Sequence, residues 1–222
     1  MKLSALLLWA AAPLAAQSVA ARLEGRIPAA AIPVIDSLVQ VAAQERLPTE
    51  PLVQKAIEGG EKRVSGERIV KAVELNLVQL RAGRALLADA GDTAPAPTEI
   101  LTVVSARKRG LADALIERVV EALPGQPRSA ALHAVADLMV HGFQPDSGAD
   151  LILEGVRLGM GSGRLLDVAA AAIQETQRGH THGESLAIVR AELPNVPAAP
   201  PPARAAVQRA RRPLAANGPP DQ

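Results

Sequence analysis

The chain has 222 residues, of which 48% are apolar and 21% charged, with no cysteine, no tyrosine, one tryptophan and one phenylalanine. Without cysteine there are no disulfides, thiolate metal sites or thiol nucleophiles, and the scarcity of aromatic rings argues against base stacking on single-stranded nucleic acid. The 24 Lys and Arg nearly balance the 23 Asp and Glu, so no overall charge directs the protein to nucleic acid.

Residues 1–16 have the order of a secretory signal peptide. Lys2 supplies the positive start, an apolar run begins at Leu3, and small residues follow it. An uncleaved membrane anchor is the alternative, because the apolar stretch is nearly long enough to span a bilayer. Pro13 and the polar residues after it argue against an anchor, and the sequence therefore predicts an exported protein.

The cleavage site of this leader is left open by the sequence. Cleavage after Ala16 fits the small-residue pattern, and so does cleavage after Ala20 or Ala21. The segment 17–30 has no clear periodicity and is predicted to be a linker.

Beyond residue 30 the apolar residues recur with a helical spacing, and no segment alternates as a strand does. Capping and turn residues set the bounds of nine predicted helices. The first four run over about 31–45, from Thr49 to Gly60, from Ser65 to Asp89 with a kink at Gly83, and from Thr98 to Arg109. The fifth contains Leu115 and Val119 and ends at Pro124, the sixth covers about 128–140, and the seventh follows Asp146 and contains Leu151 and Val156. The eighth runs from Ser162 to Gly179 and the ninth begins at Thr181.

The pattern predicts one all-α domain over 31–193. Nine short helices joined by short turns are typical of stacked helical hairpins, arranged either as a solenoid-like array or as an irregular bundle. Residues 46–76 resemble 142–172 in pattern at an offset of 96, although only three of the 31 positions are identical. The repeat is therefore an expectation from pattern rather than from identity.

Residues 194–222 form a Pro- and Ala-rich tail that is predicted to be disordered. Its last 28 residues hold four arginines against Asp221, a local net charge of +3; the arginines are Arg204, Arg209, Arg211 and Arg212. These side chains are candidates for contact with anionic lipid, an acidic partner or the protein's own body. The alternative is a solubilising tail with no fixed partner.

The histidines provide the candidate metal site. His180 and His182 flank Thr181, and such a pair can place two imidazoles on one metal ion, with His141 or Glu184 as a further ligand. The competing interpretation is a polar turn in which Thr181 and Glu184 form a helix capping box.

Two further motifs resemble catalytic or binding signatures. The glycines of 159–163 resemble a phosphate-binding loop, but the predicted element before them is a helix rather than the strand that such loops require. Ser105 and Lys108 have the spacing of a serine acyl-enzyme motif, without its companion elements. We therefore expect a tight turn at 159–163 and no catalytic set.

Together these features predict an exported, non-enzymatic helical protein that acts as an interaction or scaffold module of the periplasm or cell envelope. The expected partner is another protein rather than nucleic acid, and no cofactor is expected. Two alternatives stay open: metal binding at the His180 and His182 turn, and peripheral membrane association through the basic tail.

Overall fold

The computed structural model describes residues 18–123 and 128–195. This part of the chain is α-helical with two short 3₁₀ turns and contains no strand, so the predicted all-α class is confirmed. The leader 1–16 and nearly all of the predicted tail lie outside the described residues.

Ten α-helices are present in the described residues. They are α1 (Val19–Leu23), α2 (Ile32–Gln44), α3 (Glu50–Glu61), α4 (Gly66–Asp89), α5 (Pro97–Lys108), α6 (Asp113–Glu121), α7 (Arg128–Val140), α8 (Pro145–Arg157), α9 (Ser162–Gln177) and α10 (His182–Ala191). Helices α2 to α10 correspond to the nine predicted ones. The 3₁₀ turns are Ala29–Ala31 and Leu193–Asn195.

The chain divides into two compact units, Met1–Val104 and Ser105–Gln222, where the sequence predicted a single domain over 31–193. Each unit has its own buried aliphatic core, with Ile35 and Val73 in the first and Leu151 and Leu165 in the second. In each unit the close contacts join helices that are one or two elements apart along the chain, such as α2 with α3 and α4, and α7 with α8 and α9. Such contacts are typical of stacked helical hairpins.

The linker predicted over 17–30 is instead part of the first unit. Helix α1 contacts α2 and α3, and its Leu23 is fully buried, as is most of Ile27. A Cβ atom placed on Gly60 would lie 2.0 Å from the carbonyl oxygen of Arg26, so the backbones touch there. A helix of only five residues has too few turns to show periodicity, and its stability comes from packing.

Helix α4 runs unbroken through Gly83, where a kink was predicted. A Cβ atom on Gly83 would lie 3.0 Å from a methyl group of Val104 and 3.4 Å from the carbonyl oxygen of Ile100. The glycine therefore provides room for α5 to pack closely against α4, rather than a bend.

The offset of 96 residues recurs in the structure. Helix α2 shifted by 96 gives the bounds of α7, and the starts of α4 and α9 are related by the same shift. Two pairs of turn residues with positive φ also correspond: Arg46 (56°) with Gly142 (88°), and Arg63 (54°) with Gly159 (79°). The same helix–turn–helix–turn–helix path is therefore followed in both units.

Side-chain contacts follow the same offset. Arg22 pairs with Glu50 at 2.7 Å, and Arg118 pairs with Asp146 at 3.0 Å. Both residues of the second pair lie 96 positions after their counterparts in the first. A close helix contact also recurs, because Gly59 faces Ile69 as Gly155 faces Leu165. The two units are thus two versions of one arrangement, built largely from different residues.

Candidate functional site

The structure assigns different partners to the two histidines of the candidate metal site. His180 lies beside Glu175, with 3.5 Å between its Nε2 and the carboxylate, and Arg178 contacts the same carboxylate. His182 turns to the C-terminal end of α7, where its Nε2 lies 3.0 Å from the carbonyl oxygen of His141. Because a carbonyl only accepts, Nε2 of His182 is the donor.

His182 also packs against Phe143. The two ring centroids are 4.6 Å apart in an edge-to-face arrangement, which is favourable for aromatic rings. Beside them, Gly142 has a φ of 88°, and a Cβ atom on it would lie 3.2 Å from the His182 ring. The imidazole thus joins the start of α10 to the turn between α7 and α8 inside the second unit.

The capping box predicted at the start of α10 is present. The Thr181 hydroxyl accepts a hydrogen bond from the Glu184 N–H, and the Glu184 carboxylate accepts from the Thr181 N–H at 2.9 Å and from its hydroxyl. These hydrogen bonds from Thr181 hold the pKa of Glu184 below its usual range, with a smaller effect from His180. Glu184 therefore caps the helix and is not directed to the two histidines.

The third imidazole considered as a ligand is that of His141, which directly follows α7. Its Nδ1 hydrogen-bonds to the carbonyl oxygen of Asp137, at 2.8 Å and four residues earlier in the chain. Within the described ranges, no group of three or more His, Asp or Glu side chains is placed to hold a metal ion. The sequence proximity of His180 and His182 is therefore not matched by a shared coordination geometry.

The glycine-rich stretch forms the turn between α8 and α9, as predicted. Gly159 has a φ of 79°, and Gly161 is the N-cap of α9. An open cavity of about 360 Å³ lies here, lined in part by Met160, Arg164 and Pro194. The preceding element is helix α8, which is not the strand that nucleotide-binding loops of this kind follow.

A second surface feature lies in the first unit, on the outer face of α4. An open groove of about 440 Å³ runs between the first 3₁₀ turn and the N-terminal half of α4; its lining residues are Ala30, Ala31, Gly66, Glu67, Val70, Lys71 and Glu74. The α4 residues among them share one face of the helix, because they follow its 3.6-residue period.

The same face continues into two exposed apolar side chains. Leu75 is 61% exposed and Val78 56% exposed, one turn beyond the groove. Apolar surface beside a groove is typical of a protein contact. We call the groove and these two residues the α4 face.

Sequence reasoning missed the α4 face although a signal for it was present. The core of α4 follows Ile69, Val73 and Leu77, and these side chains are buried. Leu75 and Val78 are also apolar but fall out of phase with that series. An apolar residue opposite a core stripe of a helix is expected to face outwards.

The four arginines predicted to contact an acidic partner or lipid lie outside the described residues. They are Arg204, Arg209, Arg211 and Arg212. In the part of the chain that the structure describes, no helix is long and apolar enough to cross a membrane.

Comparison with known proteins gives no relative. No protein-family model matches the chain, and neither a curated protein nor a solved structure matches it.

Proposed function

We propose that the protein is exported and acts as a non-enzymatic interaction module that binds a partner protein on the α4 face. The observation that carries this proposal is the exposure of Leu75 and Val78 next to an open groove. Leaving two large aliphatic side chains in water costs free energy that their burial in an interface would recover, about 25 cal/mol per Å² of apolar area.

The shape and charge of the α4 face favour an amphipathic helix as the bound element. A groove beside a helix accepts the apolar stripe of another helix through residues spaced three and four apart. The charged side chains among the lining residues are Glu67, Lys71 and Glu74, which together carry a net negative charge. A partner helix with basic residues beside its apolar stripe therefore complements this surface best.

Site-specific photo-crosslinking tests the proposal. A photoreactive residue replaces Leu75 in the exported full-length chain, and a matched chain carries it at Val140, which is 64% exposed in the second unit. We expect a specific adduct in the envelope fraction from position 75 only, with the crosslinked partner peptide being amphipathic and basic at its edges. Equal labelling from position 140, or an adduct that joins two copies of this chain, contradicts the proposal.

A surface variant provides the second arm of this experiment. Leu75→Glu with Val78→Glu keeps the core of the first unit intact, because both side chains are exposed. We expect the variant to keep its far-UV circular dichroism spectrum and to lose the adduct made by a photoreactive residue at Lys71. Retention of that adduct in the folded variant contradicts binding through the apolar pair.

The alternative of a membrane or partner contact through the basic tail is tested by the same crosslinking in a chain truncated after Pro194. An adduct that survives truncation places the contact on the helical body, and one that is lost places it on the tail. Binding to anionic vesicles that weakens steeply with salt supports the lipid alternative, since surface charges are screened over about 8 Å at physiological ionic strength.

A further inference from the structure

The start of the first unit bears on the cleavage of the leader. Ser18 is the N-cap of α1, and its hydroxyl oxygen accepts a hydrogen bond from the Ala21 N–H at 3.2 Å. Its carbonyl oxygen accepts from the Arg22 N–H at 3.1 Å, and that of Ala20 accepts from the Glu24 N–H at 3.0 Å. Residues 18–21 therefore supply the cap and the first turn of this helix.

Helix α1 is tied to the rest of the unit through its second half. The guanidinium of Arg22 donates two hydrogen bonds to the Glu50 carboxylate, at 2.8 and 2.7 Å. The side chain of Leu23 is fully buried in the core. Arg22 and Leu23 are the last two residues of α1, so the residues before them form the helical turn from which they extend.

The second unit contains the same arrangement with a longer helix. Arg118 of α6 occupies the place of Arg22 and pairs with Asp146, while the buried Val119 occupies the place of Leu23. In α6 five helical residues, Asp113 to Glu117, precede this arginine. A helical turn ahead of the arginine is thus common to both units.

We propose that the leader is removed by hydrolysis of the peptide bond between Ala16 and Gln17. Water adds across this bond, leaving a carboxylate on Ala16 and a free amine on Gln17, and the whole of α1 with its cap stays in the mature chain. This inference rests on the proposed export of the protein.

Cleavage at the two other sites that the sequence allows would damage the unit. A cut after Ala20 or Ala21 removes Ser18 and the first turn, and only three or fewer residues of the helix remain. It would also place a positively charged amine at the start of that remnant, where the helix dipole disfavours a cation. Cleavage after Ala16 keeps Ser18 and the first turn, and the new amine on Gln17 lies before the N-cap rather than within the helix.

The N-terminus of the mature protein tests the inference. The full-length chain is expressed with its own leader and a C-terminal tag in a bacterial host, purified from the envelope fraction, and its N-terminal peptide is identified by mass spectrometry. We expect the chain to start at Gln17, as free glutamine or its cyclised form. A start at Ala21 or Arg22 overturns the assignment while leaving export intact, whereas a chain that retains Met1 in the cytoplasmic fraction contradicts export itself.

A pair of matched variants sharpens this test. Signal peptides require a small residue just before the cleaved bond, so Ala16→Leu blocks the assigned site and Ala20→Leu blocks the neighbouring one. We expect the Gln17 terminus to disappear from Ala16→Leu and to persist in Ala20→Leu. The reverse pattern overturns the assignment.

Discussion

The first and second units follow the same path as far as α4 in the first unit and α9 in the second, and they differ within these helices. In the first unit α4 continues through Gly83, whereas the corresponding Gly179 in the second unit has a φ of 100° and ends α9. Strong helix formers follow Gly83 in the sequence, while Thr181 and Glu184 follow Gly179 and cap a new helix. A glycine thus permits a turn, and the residues that follow it determine whether the chain makes one.

The two units also use different residues at the turn positions where the backbone has a positive φ. Both need left-handed turn residues at corresponding places, and the first unit uses Arg46 and Arg63 where the second uses Gly142 and Gly159. A side chain in this conformation costs about 1 kcal/mol or more relative to glycine. In the first unit, packing of the helices on either side therefore stabilises a positive φ at two arginines, although a residue with a side chain prefers a negative φ.

The largest effect on stability is expected when a residue of the first unit is replaced by the one at the corresponding position of the second unit. Gly60 corresponds to Val156, but a Cβ atom on Gly60 would lie 2.0 Å from the Arg26 carbonyl oxygen. We expect Gly60→Val to lower the free energy of unfolding by about 4 kcal/mol or more, because backbone rather than a flexible side chain must move.

Chemical denaturation followed by far-UV circular dichroism measures this change. Gly163→Ala is the matched control, because Gly163 lies in α9 with open space around its Cα, and alanine there is expected to be neutral or slightly stabilising. If Gly60→Val and the control behave alike, the segment before α2 is not packed against α3 as described.

A smaller effect is expected at the turn that is special to the second unit. His182→Ala removes the hydrogen bond to the His141 carbonyl and the contact with Phe143, and we expect it to cost about 1–2 kcal/mol of unfolding free energy. His180→Ala is the control, since the His180 side chain is 44% exposed and lies 3.5 Å from the Glu175 carboxylate; its expected cost is below about 0.5 kcal/mol.

Thermal denaturation with and without a chelator separates this structural role from metal binding. We expect the melting temperature of the wild-type chain to be unchanged by the chelator, because neither histidine shares a ligand geometry with the other. A chelator-dependent loss of stability that both variants abolish would instead support the metal alternative.

Substitutions at the turn residues with positive φ are expected to change stability by less than His182→Ala does. Arg63→Gly gives the first unit the residue of the second, and we expect a gain of about 0.5–1 kcal/mol because the left-handed strain is relieved. Gly159→Ala introduces that strain in the second unit and is expected to cost a similar amount. Urea denaturation measures both, and the same sign for both substitutions would refute the correspondence.

The smallest effect concerns the ion pair shared by the units. The Arg22 guanidinium, and secondarily the Gln54 amide, lower the pKa of Glu50 to about 2. A lowered folded-state pKa stabilises the folded protein above the unfolded-state pKa, which is near 4.3, and this stabilisation is lost as the pH falls towards 2. Because Glu50 is largely exposed, the contribution is less than about 1 kcal/mol.

Urea denaturation at neutral pH and at about pH 2 measures this linkage. We expect Glu50→Gln to lower stability at neutral pH and to leave the acid value nearly unchanged, with the difference shrinking at high salt. An equal loss at both pH values would indicate a packing role rather than the ion pair.

Much of the fold could be predicted because helix ends are local. The residues that set a helix boundary lie within a few positions of it, and the observed helices begin or end there. Examples are the capping box of Thr181 and Glu184, the glycines at 110 and 179, and the N-cap at Ser65. The same argument fails for α1, because five residues contain no periodic signal and Leu23 is buried only through contacts with α2 and α3.

The candidate site was less predictable, because proximity in sequence does not fix direction in space. His180 and His182 are two residues apart, yet one faces Glu175 and the other faces the end of α7. The out-of-phase Leu75 and Val78 were readable from the sequence, but the groove beside them depends on where the first 3₁₀ turn packs on α4.

By itself, then, the sequence determined the all-α class, the bounds of the nine longer helices and the phase of their apolar faces, because these follow from interactions between residues a few positions apart. The tertiary structure alone decided the division into two units, the burial of α1, the partners of the histidines and the use of Gly83 for close packing. Each of these depends on contacts between segments distant in the chain, and the free energy of such contacts is set by the space and the partners that the rest of the fold provides.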